Sequence, residues 1–204
     1  MGNRIISISR QFGSGGHEIA MKTAERLGIK VYERELVRLA CAYGELPEAS
    51  VSQADEKATN PYLFRTIHEG NYHVLRGKPT SEVLFALQSH EIKRLAARES
   101  CIFVGRCADF VLRDQDVSLL RVFVAAPEAQ RFSRKMVQEG LTLAQAARLV
   151  RKMDKQREKY YESYTGRIWG DPANYDLYLD TSKYSLDDAA ALIAARFEKM
   201  GKEE

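Results

Sequence analysis

Nowhere in this chain do roughly eighteen apolar residues follow one another, so no segment reads as a membrane span. The N-terminus, MGNRIISISRQFG, reaches Arg10 before any long apolar stretch, which argues against a secretory signal. Ile6 stands inside what would otherwise resemble a myristoylation site. Cysteine is scarce: Cys41, Cys101 and Cys107 are too few and too irregular for a disulfide framework, and they read as buried, reduced thiols in a cytoplasmic protein. Metal-ligand spacing is missing too. His90-Glu91 opens like HExxH, but position 94 is Arg94, and His68 and His73 do not share a helical face, so no structural metal is expected. There is no internal repeat and no low-complexity tract. Neither sign of charge dominates: Lys and Arg number 31 against 28 Asp and Glu, a net of +3. That balance fits a small anionic ligand and nucleic acid equally and decides neither.

What is present is a chain of 204 residues, 45% hydrophobic and 29% charged, enough for a single domain with a real core. Arg4 to Ser9 is short, β-branched and apolar, and predicts a buried strand. A glycine-rich turn follows over 11–16. Ile19, Ala20, Thr23, Ala24 and Leu27 then recur at helical spacing until Gly28 stops the helix. Ile29 to Tyr32 predicts a second strand, and Glu33 to Tyr43 a second helix. Further strands are expected at Cys101–Val104, Leu119–Ala125 and Asp176–Leu179. Helices are expected over Ser81–Arg98 and from Pro127 to about Glu139, then after a Thr142/Gln145 capping box and after Ser185. Residues 45–80 hold three of the five prolines and a polar run, and read as a small helical insertion. About five apolar strands alternating with helices give an α/β fold whose parallel sheet is covered on both faces. Ligands bind such sheets at the carboxyl ends of the strands.

The turn Phe12-Gly13-Ser14-Gly15-Gly16 lies on that edge. Three glycines in four residues let the backbone turn its N–H groups inward, and the helix that follows aims its positive end at the same place. Together they make a phosphate cradle. Two patterns compete. GxGxxG begins with Gly13 and Gly15, and Glu33 follows about 20 residues on, but Glu18 occupies the third glycine position. GxxxxGK[ST] places Arg10 at the first glycine, Gly16 at the lysine and His17 at the hydroxyl residue. Between Arg148 and Arg167 there are seven Lys or Arg against three acids, a net of +4. In this stretch Arg157 offers a planar fork that can clamp a phosphoryl group. Asp154, one turn earlier, could orient Arg157 or another arginine. Tyr160, Tyr161, Tyr164 and Trp169 read first as core. Arg106 follows a glycine at the end of a strand, Arg38 lies on the second helix, and Asp109 sits three residues beyond Arg106.

The succession ISISRQFGSGG, AERLG and IKVYERELV resembles the start of bacterial cytidylate kinases. The resemblance continues through Ile102-Phe103-Val104-Gly105-Arg106, through RVFVAAPE, through the Asp154-x-x-Arg157 spacing and through YDLYLDTSKYSLDDAA. SRQFGSGG, VGRCAD and YYESYTGRIWGDPANYDLYLDTS are similar to the cytidylate kinase-like family, a branch of P-loop proteins lacking the usual loop lysine. The resemblance implies a three-layer α/β/α P-loop NTPase fold with a five-stranded parallel sheet. It also implies an acceptor-binding insertion around 45–80 and a lid around 148–172. The implied reaction moves the γ-phosphoryl of ATP to CMP or a related small acceptor, with Mg²⁺. Gly13, Ser14, Gly15, Gly16, His17 and Glu18 would surround the donor phosphates. Arg10, Asp154 and Arg157 would be catalytic. Arg106, Arg38 and Asp109 would face the acceptor. The implied partner is a small nucleotide, with no membrane or nucleic acid, and the oligomeric state is left open.

Three parts of the ordinary phosphate-transfer site are absent from their usual places: the lysine (Gly16), the hydroxyl (His17) and an Asp before Gly-Arg (Val104). Arg10 is expected to replace the lysine in charge by swinging over the phosphates, with Ser14 and Ser9 offering hydroxyls nearby. Three readings stand: a nucleoside monophosphate kinase, a nucleotide-binding module without turnover, and a dinucleotide-binding protein using Glu33 for the ribose.

Overall fold

The computed structural model describes residues 2–44 and 81–200. The insertion expected around 45–80 lies outside the described residues. Strands β1 (Arg4–Arg10), β2 (Lys30–Tyr32), β3 (Cys101–Val104), β4 (Ser118–Ala125) and β5 (Leu177–Asp180) form one parallel sheet in the order β2-β3-β1-β4-β5. The described helices are α1 (Gly16–Leu27), α2 (Glu35–Tyr43), α3 (Ser81–Arg98), α4 (Ala108–Val111), α5 (Glu128–Glu139), α6 (Leu143–Thr165) and α7 (Leu186–Lys199).

The strand period of two sorts the residues of β1 onto the two faces. Ile6 and Ile8 join Ile102, Val104, Val122 and Val124 beneath α1 and α7. Ile5 packs on the other face with Phe103, and with Leu36, Phe85, Leu95 and Tyr161 from α2, α3 and α6. Each fully buried isoleucine or leucine contributes roughly 2 kcal/mol of apolar transfer, so this double-sided core carries the three layers. Tyr160, Tyr161 and Tyr164 are buried in it, as helical spacing suggested. The three cysteines are buried thiols.

Local signals place most boundaries. Gly28 ends α1 in the left-handed region at φ 63°, returning its N–H to the Ala24 carbonyl. The capping box forms at α6: the Gln145 amide donates to the Thr142 hydroxyl at 3.4 Å, and the Thr142 amide to the Gln145 side chain at 2.9 Å. Ser185 caps α7 through the Asp188 amide. Several boundaries differ from expectation by a residue or two. β1 runs on to Arg10, which pairs with Val124. α2 begins at Glu35, leaving Glu33 at the end of β2. Pro127 is the N-cap of α5 rather than a first-turn residue. β5 starts at Leu177, and the Asp176 carboxylate just before it accepts from the Arg121 guanidinium at 2.7 and 3.0 Å. Because every strand runs the same way, the segments after β1, β2, β3 and β5 meet at one edge.

Candidate active site

The turn after β1 is held by its carbonyls. The Ser14 hydroxyl donates to Gln11 O at 2.8 Å, Arg131 to Phe12 O at 3.3 Å, Arg134 to Gly13 O at 2.6 Å and Thr181 to Ser14 O at 2.9 Å, while the Ile19 amide takes Gly15 O. In a planar trans peptide the N–H points opposite the C=O. Turning these carbonyls outward therefore turns the amides of Gly13, Gly15 and Gly16 inward. Gly13 and Gly15 adopt φ of +79° and +89°, which a side chain would strain. Gly15 caps α1 without any side-chain bond, so the first amides of that helix face the same hollow.

An open cleft of about 800 Å³ lies over this turn. Gly13, Gly15, Gly16, His17 and Glu18 line it, together with Arg10 and Arg157. Ser14 does not: it is fully buried, with its hydroxyl spent inside the turn, so it supplies no ligand. From α5 come Arg134, Lys135 and Gln138, the last donating to Glu18 at 3.1 Å. These three were missed in the sequence. Their signal was the basic Arg131-x-x-Arg134-Lys135 after the fourth strand, which puts two cations on adjacent turns.

A second, smaller cavity of about 20 Å³ opens beside the Gly105 turn, lined by Ser9, Arg106, Cys107, Tyr160, Tyr161 and Trp169, and again by Arg10 and Arg157. Gly105, Arg106 and Cys107 hold three successive positive φ angles of 76°, 60° and 53°. Two of these are non-glycine, a cost of about 1–2 kcal/mol each. The turn carries Arg106, 6% exposed, into the interior. Burial pushes its guanidinium below the usual arginine range.

Arg10 does not swing over the turn. Its stem lies against Gly16, where a Cβ would come within 2.6 Å of the Arg10 Cβ. Its head lies over Gly105, where a Cβ would come within 2.3 Å of Nη1, and donates to the Glu33 carboxylate at 2.8 Å. The other Glu33 oxygen meets His17 Nδ1 at 2.6 Å. Burial works to raise the Glu33 carboxyl, but Arg10 and His17 outweigh it and hold it below the ordinary carboxylate range.

Arg157 donates to the Arg10 carbonyl at 3.1 Å and lies over the Phe12 ring. Of the two partners open to Asp154, Arg157 or another arginine, it takes the other arginine, Arg131. One Asp154 oxygen accepts the Phe12 amide at 2.7 Å and the other takes Arg131, so Asp154 braces the phosphate turn from behind. Arg38 is exposed on α2, outside the linings of both cavities, and Arg34 reaches the cleft instead. Asp109 is buried, accepts the Tyr161 hydroxyl at 2.7 Å and lines neither cavity. Burial raises its carboxyl above the usual range, although Tyr161 and nearby amides oppose this.

Among the described residues there is no protein-held Mg²⁺ site. His17 replaces the hydroxyl, Ser14 is buried away from the cleft, and the Glu33 oxygens are engaged by Arg10 and His17, whereas Mg²⁺ prefers oxygen ligands in an open octahedron. Among the described residues no group of three or more His, Cys, Asp or Glu side chains could hold a metal ion. Nor is any described helix long and apolar enough to cross a membrane.

A profile of the cytidylate kinase-like family matches residues 5–183. The chain belongs to that family. It is 26% identical over 209 residues to the cytidylate kinase of Methanopyrus kandleri, covering 98% of this chain and 96% of that one. The crystal structure of an uncharacterized protein from Eubacterium ventriosum superposes with a TM-score of 0.75 at 30% identity, covering 97% of this chain and 99% of that one. The Mycobacterium tuberculosis APS kinase, solved with AMPPNP and APS, matches at a TM-score of 0.50 and 16% identity over 97% of this chain and 98% of its own. The fold is the three-layer α/β/α P-loop NTPase fold, and family and fold together make this a kinase-like protein.

Proposed function

We propose that this cytidylate kinase-like protein transfers the γ-phosphoryl of ATP to a small phosphorylated acceptor of the CMP class. One observation carries the reading: Arg10 and Arg157 line both the cleft over the glycine turn and the cavity beside Arg106. A donor tail in the first and an acceptor phosphate in the second would meet at these two guanidiniums. In the reaction an acceptor phosphate oxygen attacks the γ-phosphorus, the bond to the β-phosphate oxygen breaks, and ADP leaves. Charge spreads over the transferred group, and arginine forks stabilise that state more than the ground state. The inward amides of Gly13, Gly15 and Gly16 hold the tail that becomes the leaving group. Arg106 holds the acceptor phosphate, whose charge relieves the desolvation of that buried guanidinium. The smaller cavity admits about one water as it stands, so acceptor entry requires it to widen. Mg²⁺, when bound to ATP, screens charge on the nucleotide oxygens, and no step is assigned to protein ligands for it.

The absent lysine, hydroxyl and aspartate favour a second reading, a nucleotide-binding module without turnover. A coupled assay with ATP and a panel of CMP, dCMP, UMP, AMP and their nucleosides separates the two. Turnover with a pyrimidine monophosphate supports the kinase. ATP binding without turnover for any acceptor supports the module. NAD binding in preference to ATP refutes both.

A further inference from the structure

Glu33 lies in neither the glycine turn nor the arginine set, yet it holds both basic side chains that stand where the common phosphate loop has other residues. Its two oxygens are divided, one to Arg10 at 2.8 Å and one to His17 at 2.6 Å. We propose that Glu33 is a positioning residue. By gripping Arg10 and His17 together it fixes the rim of the cleft over the glycine turn, where the Arg10 guanidinium stands in for the cation that an ordinary loop lysine would supply. The proposal rests on the nucleotide reading of this cleft.

Three features support a fixed rather than a displaceable contact. The Arg10 stem is wedged against Gly16 and its head against Gly105, both at distances that leave no room for a Cβ. The Arg10 and Glu33 side chains are only 9% and 18% exposed, so water competes weakly for the pair. Arg10 also reaches the lining of both cavities, so a change in its aim is felt at the donor and at the acceptor. Glu33 hydrogen-bonds to Arg10 and His17, and acts through those two side chains.

Simple charge counting predicts the opposite sign. Removing a carboxylate beside a phosphate site makes the site more positive and should tighten anion binding. Positioning predicts weaker binding, because the guanidinium loses its orienting partner. The sign of the change therefore decides.

The test is calorimetric titration of ATP into the wild-type protein and into Glu33→Gln, Glu33→Asp, Arg10→Ala and the Glu33→Gln/Arg10→Ala double variant, with thermal melts to establish folding. Glu33→Gln is expected to weaken ATP about tenfold, and Glu33→Asp to recover part of the loss. In the Arg10→Ala background Glu33→Gln should add less than about twofold, because coupled residues are not additive. Unchanged or tighter binding by folded Glu33→Gln overturns the proposal and leaves the nucleotide reading standing. An equal loss in the Arg10→Ala background also overturns it, since the effect would not run through Arg10. A wild-type protein that takes up no ATP overturns the nucleotide reading itself, and the positioning role falls with it.

Discussion

Gly16 stands where the common phosphate loop carries lysine, and the structure gives a steric reason for it. A Cβ at Gly16 would lie 2.6 Å from the Arg10 Cβ and 2.9 Å from its Cγ, well inside the 3.4 Å where ordinary contact begins. The Gly16 backbone is not left-handed, so any penalty on Gly16→Ala comes from that contact alone. Alanine in a helix gains up to about 1 kcal/mol over glycine. Overpacking against a strand residue costs about 1–3 kcal/mol. The net expectation is a loss of about 1–2 kcal/mol, or a melting temperature lower by about 2–8 °C for a chain of this size. Arg10→Ala keeps the Cβ that makes the 2.6 Å contact, so Gly16→Ala should stay costly there. Arg10→Gly removes it, and in that background Gly16→Ala should become neutral or stabilising. Urea unfolding of the three single and two double variants measures the coupling. The reasoning is refuted if Gly16→Ala alone matches the wild type within about 0.5 kcal/mol, or if its cost survives in Arg10→Gly.

Arg157→Lys keeps the charge but loses the fork, and is expected to cut the turnover number about 100-fold or more while changing ATP affinity less than about threefold; steady-state assays read the split. Asp154→Asn still accepts the Phe12 amide but leaves the buried Arg131 without its counter-charge. A melt should show a loss of about 2–3 kcal/mol. Asp109 titrates in the unusual direction. Its folded-state value is raised, so the stability it allows at low pH is lost as pH rises from the ordinary carboxylate range through the raised value. Asp109→Asn should therefore gain on the wild type as pH rises, in urea titrations from pH 4 to pH 8, and a gap that shrinks would refute the burial argument. Glu33 and Asp176 run the other way: their lowered values stabilise above the ordinary range, and that contribution fades as pH falls through the folded values.

The architecture was legible because each strand is short and apolar and each helix carries its stop or cap in the local sequence. Gly28, Thr142 with Gln145, and Ser185 act within a few residues, and such signals survive in one dimension. The glycine turn was legible for the same reason. Partnerships across the sheet edge were not. Nothing near Asp154 indicates that it meets Phe12 and Arg131 rather than Arg157, since these contacts span 142 and 23 residues. Ser14 was placed at the donor phosphates by its position in the glycine turn, but its side chain is buried and donates to Gln11 O within the turn. Asp109 looked close to Arg106 in sequence, yet the left-handed run at Gly105, Arg106 and Cys107 sends the two side chains to different places. Arg38 and Arg34 differ by one helical turn, and only the start of α2 decides which one reaches the cleft.

Read separately, Arg10 in a glycine position and Gly16 in a lysine position are two defects. In three dimensions they are one exchange, because the volume that Arg10 fills is the volume that Gly16 vacates. The exchange also relocates the charge. A lysine at position 16 would stand on the first turn of α1, beside the donor tail. Arg10 stands on the last residue of β1, between the Gly16 turn and the Gly105 turn, and so borders both cavities. In the proposed reaction a cation there would stabilise the phosphoryl group in transit rather than the tail it leaves, which is where added charge lowers a barrier. The same placement makes it depend on an anchor, since a long side chain spanning two turns needs its far end held, and Glu33 grips that end at 2.8 Å.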